Sequence, residues 1–374
     1  MKKLFRTGAC LAALPYLMLT GCSQTVTGAS QNQEAMLHEK SMLSLNEKLQ
    51  ANEVAAKSPR FDLPASYQAI EPSESAQPLQ TNYTEKQLAE MPRTQAHGGD
   101  TARSVPLGQT LKGAEDLTDG PLKEHRIVSY YGHPNSVNMG ILGEYEPEVY
   151  MDKLIAQTKE YSELDPERPA IPAIELIATV AQRSPGEKGL YIHPTSDEAI
   201  EKYAKLAEEN NALLILDIQL SRDTVMNQVK SIEKYLKRPY VHLAIDTEFH
   251  VQEGEIPGVD LGTVDGKKIQ EAIEYVSNIV KENNLPDKLV IVHQFSKHVL
   301  INKDAIQPTE NVEVALNFDG HGLDAIKRAG YNEHVQKEPI QYGGFKVFYK
   351  KDEPLMMPKD VLELDPAPAF VNYQ

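Results

Sequence analysis

The chain contains no tryptophan and only two cysteines among its 374 residues. Without tryptophan, any broad aromatic platform has to come from smaller rings, and Tyr130, Tyr131, Tyr191 and Tyr373 are the candidates. Cys10 lies in an apolar leader, so Cys22 has no partner for an intrachain disulfide once that leader is removed, and stability has to come from a buried core. Basic residues are in deficit: 38 Lys and Arg stand against 54 Asp and Glu, a formal charge of −16. A surface of that sign repels phosphodiester polymers and anionic head groups, which argues against nucleic acid as a partner and against a peripheral electrostatic membrane site. No apolar run reaches the roughly 20 residues that a membrane-spanning helix needs. No H-x-H or H-E-x-x-H stretch occurs, so no local motif signals a metal centre; neither a metal nor another cofactor is expected.

What is present begins at the N-terminus. Lys2, Lys3 and Arg6 precede an apolar stretch from Ala9 to Leu19, the layout of a signal peptide. The stretch ends in Leu19, Thr20, Gly21 and Cys22. This resembles the lipobox of bacterial lipoproteins. The resemblance implies removal of residues 1–21, lipid on Cys22, and a protein held by that lipid at the extracytoplasmic face of the cell membrane. Residues 22–120 are rich in Gln, Ser, Thr, Ala, Pro and charge, with few large apolar residues in any period. A narrow stripe through Leu37, Leu45 and Leu49 suits an amphipathic helix. The rest cannot bury enough apolar surface to offset its chain entropy and reads as a mostly disordered stalk.

Beyond Gly120 the texture changes. RIVSYYG (126–132), IPAIELIATV (171–180), ALLILDIQL (212–220), YVHLAIDTEF (240–249), KLVIVHQF (288–295) and VEVALNF (312–318) are short runs rich in Val and Ile. That is the pattern of strands covered on both faces. GGFKVFY (343–349) and AFVNYQ (369–374) bring the count to eight. Between several of them lie segments with apolar residues at three- and four-residue spacing, with Ser196 and Ser221 placed as N-caps. Alternating strand and helix implies parallel strands joined by right-handed crossovers, and residues 121–374 have the length of an α/β, eight-fold TIM-like barrel. An open doubly wound sheet is the alternative. It would put a Gly-rich phosphate loop after the first strand, and GHPNSVNMGILGE is not G-x-G-x-x-G.

In a barrel of this kind the reactive end is the C-terminal end of the strands. Reading each strand to that end gives Tyr131 and His133, Glu175, Asp217 and Gln219, Asp246 and Glu248, His293 and Gln294, Asn317 and Asp319, and finally Tyr373. A single acid at a strand end is readily explained as a solvated residue or a helix cap; recurrence over five strands is not. The connections 132–147, 181–194 and 249–266 are long, as expected of a cleft rim, whereas 210–211, 237–239 and 284–287 are short. The connection 330–342 breaks this rule. Asp246 and Glu248 lie two positions apart on one strand face, about 7 Å between Cα atoms, close enough for each charge to perturb the other. One then tends to hold a proton near neutral pH while the other ionises, the requirement for general acid catalysis on a glycosidic oxygen.

Asp246-Thr247-Glu248 resembles the D-x-E that closes the signature of glycoside hydrolase family 18, and the acidic strand of family 25 lysozymes. The first resemblance implies that Glu248 is the proton donor and that Asp246 orients a substrate acetamido group acting as nucleophile. The sequence departs from that pattern at Ala244, where a further aspartate is expected. More broadly, SYYGHP, IPAIELIATVAQ, DTEFHV and VHQF resemble exported proteins of Gram-positive bacteria, a likeness over most of residues 126–374 that implies no particular activity. The expected function is a surface lipoprotein with a glycoside-hydrolase-like barrel acting on cell-wall or other envelope glycan. Two alternatives stay open: a lipoprotein that binds glycan or protein without chemistry, and a metal-dependent hydrolase using ligands among His133, Glu175, Asp217, Asp246, His293 and Asp319.

Overall fold

The computed structural model describes residues 67–79, 116–186 and 188–374. The expected leader, the expected lipidation site Cys22 and the helix expected at 34–50 lie outside the described residues. Among the described residues no helix is long and apolar enough to cross a membrane.

Among the described residues there are eleven strands: β1 Arg126–Gly132, β2 Ala170–Ala181, β3 Ile192–Pro194, β4 Leu213–Gln219, β5 Val241–Asp246, β6 Val264–Asp265, β7 Lys288–Gln294, β8 Leu300–Ile301, β9 Val312–Phe318, β10 Tyr342–Val347 and β11 Phe370–Tyr373. Eight of them, β1, β2, β4, β5, β7, β9, β10 and β11, pair side by side in parallel. Pairing of β1 with both β2 and β11 closes the sheet into a barrel. Its strands are buried along nearly their whole length because helices cover the outside and neighbouring strands fill the inside. Val, Ile and Leu dominate these runs for that reason.

The helices follow from local sequence. Ser196 caps the helix Asp197–Glu209, its side chain accepting from Ala199 N at 3.2 Å. The expected cap at Ser221 is corrected by the structure: Thr224 caps the helix Val225–Ser231, accepting from Asn227 N at 3.2 Å. Ser221 instead adopts a left-handed backbone (φ 49°), which turns its carbonyl toward Val251 N and His250 Nδ1, each 3.0 Å away. It therefore anchors the loop after β5. The long connection at 330–342 continues the helix Asp324–Tyr331 as a π-helical turn, Asn332–Gln336, that buries His334 and Val335.

The three long connections do gather at the C-terminal rim. β3 folds back antiparallel on the end of β2, pairing Thr179 with Pro194 and Ala181 with Ile192. β6 and β8 pair Val264 with Leu300, tying the loop after β5 to the loop after β7.

At the opposite end, residues 67–79 lie on the barrel although the composition assigned them to the stalk. Ile70 N donates to Ala170 O at 2.8 Å, Leu79 N to Leu164 O at 2.8 Å, and Ser73 donates through both N and Oγ to Glu163. Tyr67 stands edge-on to His125, ring centroids 5.9 Å apart. Asp116 and Thr118 are buried beside Glu313, whose carboxylate accepts from Leu122 N at 3.0 Å.

Candidate active site

Parallel register decides which side chains share the barrel interior. Tyr131 pairs with Glu175, Gln219 with Asp246, Asp246 with His293, and His293 with Asn317. Partners in a parallel ladder point to the same face. The result is a polar layer inside the C-terminal half of the barrel, connected by hydrogen bonds. Tyr131 OH donates to Asp217 Oδ2 at 3.2 Å and accepts from Gln219 Nε2 at 3.2 Å. His293 Nε2 lies 2.8 Å from Glu175 Oε1. On its other side, Nδ1 of His293 is 3.2 Å from Asn317 Nδ2 and 3.5 Å from Asp319 Oδ2. Asn372 Nδ2 donates to Glu175 Oε2.

Above this layer opens a cavity of about 650 Å³, whose lining includes Asp246, Glu248, Asp319, Tyr131, Gln219 and Lys346. Phe249, Phe295, Phe318 and Phe348 give it aromatic walls. These phenylalanines supply the aromatic surface that the sequence reading sought in tyrosine. Glu248 is positioned by its backbone. Gly262 N donates to Glu248 O at 2.7 Å, and a Cβ at Gly262 would stand 2.6 Å from that oxygen and 2.4 Å from His250 N. Only glycine lets the loop approach so closely. Gly140 packs as closely on β1, since at φ 100° its missing Cβ would fall 2.4 Å from Tyr131 O.

Burial sets the charge states. It pushes the Glu248 carboxyl up to about 7, with Asp319 adding to the effect and Lys346, His293 and Lys351 opposing it. Asp246, fully enclosed, is pushed well above the ordinary carboxylate range by burial and then by the charges of Glu248 and Asp217. Burial likewise carries Asp217 up to about 7, opposed by His293 and Lys346 and reinforced by Glu175. For His293 burial works downward, but Glu175 and Asp319 more than offset it and hold the imidazole well above its usual value. Asp319 ends below its usual value because the hydrogen bond and charge of His293, with Lys346, outweigh its burial. Lys346 Nζ sits 3.7 Å over the Tyr131 ring, inside this acidic group.

Of the residues singled out from the sequence, the structure gathers Tyr131, Glu175, Asp217, Gln219, Asp246, Glu248, His293, Asn317 and Asp319 in or directly beneath the cavity. Three others lie elsewhere. His133 Nε2 pairs with Thr195 Oγ1 at 3.0 Å, in the loops beyond the ends of β1 and β3. Gln294 turns back to donate to Ser296 O at 3.1 Å. Tyr373 shares a 2.6 Å hydrogen bond with Tyr161 of the covering helix Pro147–Leu164, on the outer face of the barrel. Its neighbour Asn372 occupies the interior, in register with Lys346. Asn372 and Lys346 were missed from the sequence, although period-two alternation along FKVF and FVNY would have pointed to them once either strand's inward face was known.

No known family's sequence profile matches the chain, and no curated protein matches it. Among solved structures, the catalytic domain of alkaline cellulase K aligns with 66% of this chain and 63% of its own, at 15% identity and a TM-score of 0.30. The chain thus spans less than two thirds of that domain. The fold and the cavity define an α/β barrel with a carboxylate-rich mouth, and the functional reading rests on the geometry of that mouth.

Proposed function

We propose that the protein is an extracytoplasmic lipoprotein whose barrel hydrolyses glycosidic bonds in a cell-envelope or extracellular glycan by carboxylate general acid catalysis. The observation that carries this reading is Glu248: a carboxyl lining the cavity, backed by Asp246 and raised to about 7. A carboxyl raised to that value is half protonated near neutrality, so it can deliver a proton to a leaving-group oxygen and recover it from water afterward. Asp246 lies behind it, with Glu248 N 3.4 Å from Asp246 Oδ1, and takes the role of orienting the substrate group that attacks the anomeric carbon. Phe249, Phe295 and Phe348 offer flat apolar faces for pyranose rings, and Gln219 and Tyr131 offer hydrogen-bonding groups on the floor. The lipid on Cys22 would place this cleft outside the membrane, within reach of wall glycan. The test is release of reducing ends from peptidoglycan or chitin-like oligomers, compared between the native protein and Glu248→Gln. A protein that retains glycan and releases no product would be a binding module instead.

A further inference from the structure

Beneath the cavity lies a group of side chains that the acid chemistry does not use. Glu175, Asp217 and His293, on β2, β4 and β7, each bring one ligand atom to a common point, all three within 4.8 Å of one another. Their side chains are fully enclosed, at 0%, 0% and 1% exposure. Each is also held from outside. Asn372 Nδ2 ties Glu175 Oε2, Tyr131 OH ties Asp217 Oδ2 at 3.2 Å, and His293 Nδ1 faces Asp319 Oδ2 at 3.5 Å and Asn317 Nδ2 at 3.2 Å. Asp217 Oδ1 is buried with no hydrogen-bond partner. An imidazole backed by a carboxylate, beside carboxylates each anchored through one oxygen, is how proteins orient the ligands of a metal ion.

From this geometry we infer that Glu175, Asp217 and His293 form a site for one divalent transition-metal cation, below the glycan cleft and distinct from the proton donor Glu248. The ion takes the place of the proton between His293 Nε2 and Glu175 Oε1, which leaves to solvent, while the proton on Nδ1 is directed to Asp319. One nitrogen and two carboxylate donors suit Zn²⁺ or Mn²⁺; Ca²⁺ prefers a larger all-oxygen shell. Bound there, the ion links three barrel strands and fixes Asp217, and through it Tyr131, in the cleft floor.

The experiment is native mass spectrometry of protein purified without chelator from cells supplied with ZnCl₂ or MnCl₂, together with thermal unfolding in excess metal and in EDTA. One ion per chain is expected, with a melting temperature roughly 5 °C higher in metal than in EDTA. Glu175→Gln and His293→Gln should lose the ion and Glu248→Gln should keep it. Native protein free of both metals, with equal melting temperatures in metal and EDTA, overturns the site. Full retention of the ion by Glu175→Gln does so too, and native stoichiometry with this variant decides the matter if His293→Gln does not fold. Neither readout involves glycan, so this site and the hydrolase reading stand or fall separately.

Discussion

His293 and Glu175 come from strands far apart in sequence, yet Nε2 and Oε1 meet at 2.8 Å inside the barrel with both side chains buried. A buried pair of this kind is sensitive to loss of one member, because the survivor is left charged, or unpaired, in a medium that solvates it poorly.

His293→Leu should therefore destabilise the fold by about 3 to 5 kcal/mol. Denaturant unfolding in EDTA measures it without any contribution from bound metal. A change below about 1 kcal/mol would mean that the pair does not hold the barrel together.

The raised carboxyl of Glu248 gives stability a definite pH dependence. Its folded-state value of about 7 lies above the ordinary 4.5, so between those values the folded state binds more protons than the unfolded one. Stability then falls as pH rises through that window, by at most about 1.4 kcal/mol per pH unit from this group. Glu248→Gln removes that contribution, and the difference between the two proteins' unfolding free energies should grow from pH 4.5 to pH 7. An unchanged difference across the window would place the carboxyl in water.

Lys346 pulls the Glu248 carboxyl down. Replacing it with methionine keeps the stem and removes the charge, so the acid form persists to higher pH. The basic limb of the hydrolysis profile should move upward in Lys346→Met, whereas a limb fixed at its native position would show that Glu248 is not the group that titrates.

Gly262→Ala tests the positioning of the acid. The new methyl would need room that the Glu248 carbonyl and His250 N occupy, so the loop has to shift. A misplaced acid lowers kcat by about 10²-fold with a smaller change in KM. Equal loss in both would point to a damaged cleft instead.

Residues 67–79 contribute backbone hydrogen bonds to the barrel's N-terminal end. A chain beginning at Gln80 should be less stable than one beginning at Leu63 by about 1 to 3 kcal/mol, read from denaturant midpoints.

The barrel was legible because its strands are buried on both faces and so appear as unbroken Val and Ile runs separated by amphipathic helices. The acidic layer was legible for a related reason: Glu175, Asp217 and Asp246 interrupt those runs at the same end. What could not be read was absolute facing. FVNYQ offers two polar candidates of opposite parity, and only the register of β11 against β1 and β10 turns Asn372 inward and Tyr373 under a helix. Ser221 likewise looks like a cap, but its left-handed backbone serves the loop after β5. The anchoring of residues 67–79 rests on backbone hydrogen bonds, which leave no mark on composition.

The most direct test of the central claim is the yield of new reducing ends when purified protein, with and without Glu248→Gln, is incubated with peptidoglycan and with chitin-like oligomers at neutral pH. Product is expected from at least one substrate with the native protein, with a loss of about 10²- to 10⁴-fold in the variant and the fold intact by circular dichroism. Undiminished release by Glu248→Gln, or no release by the native protein from either substrate, would contradict it.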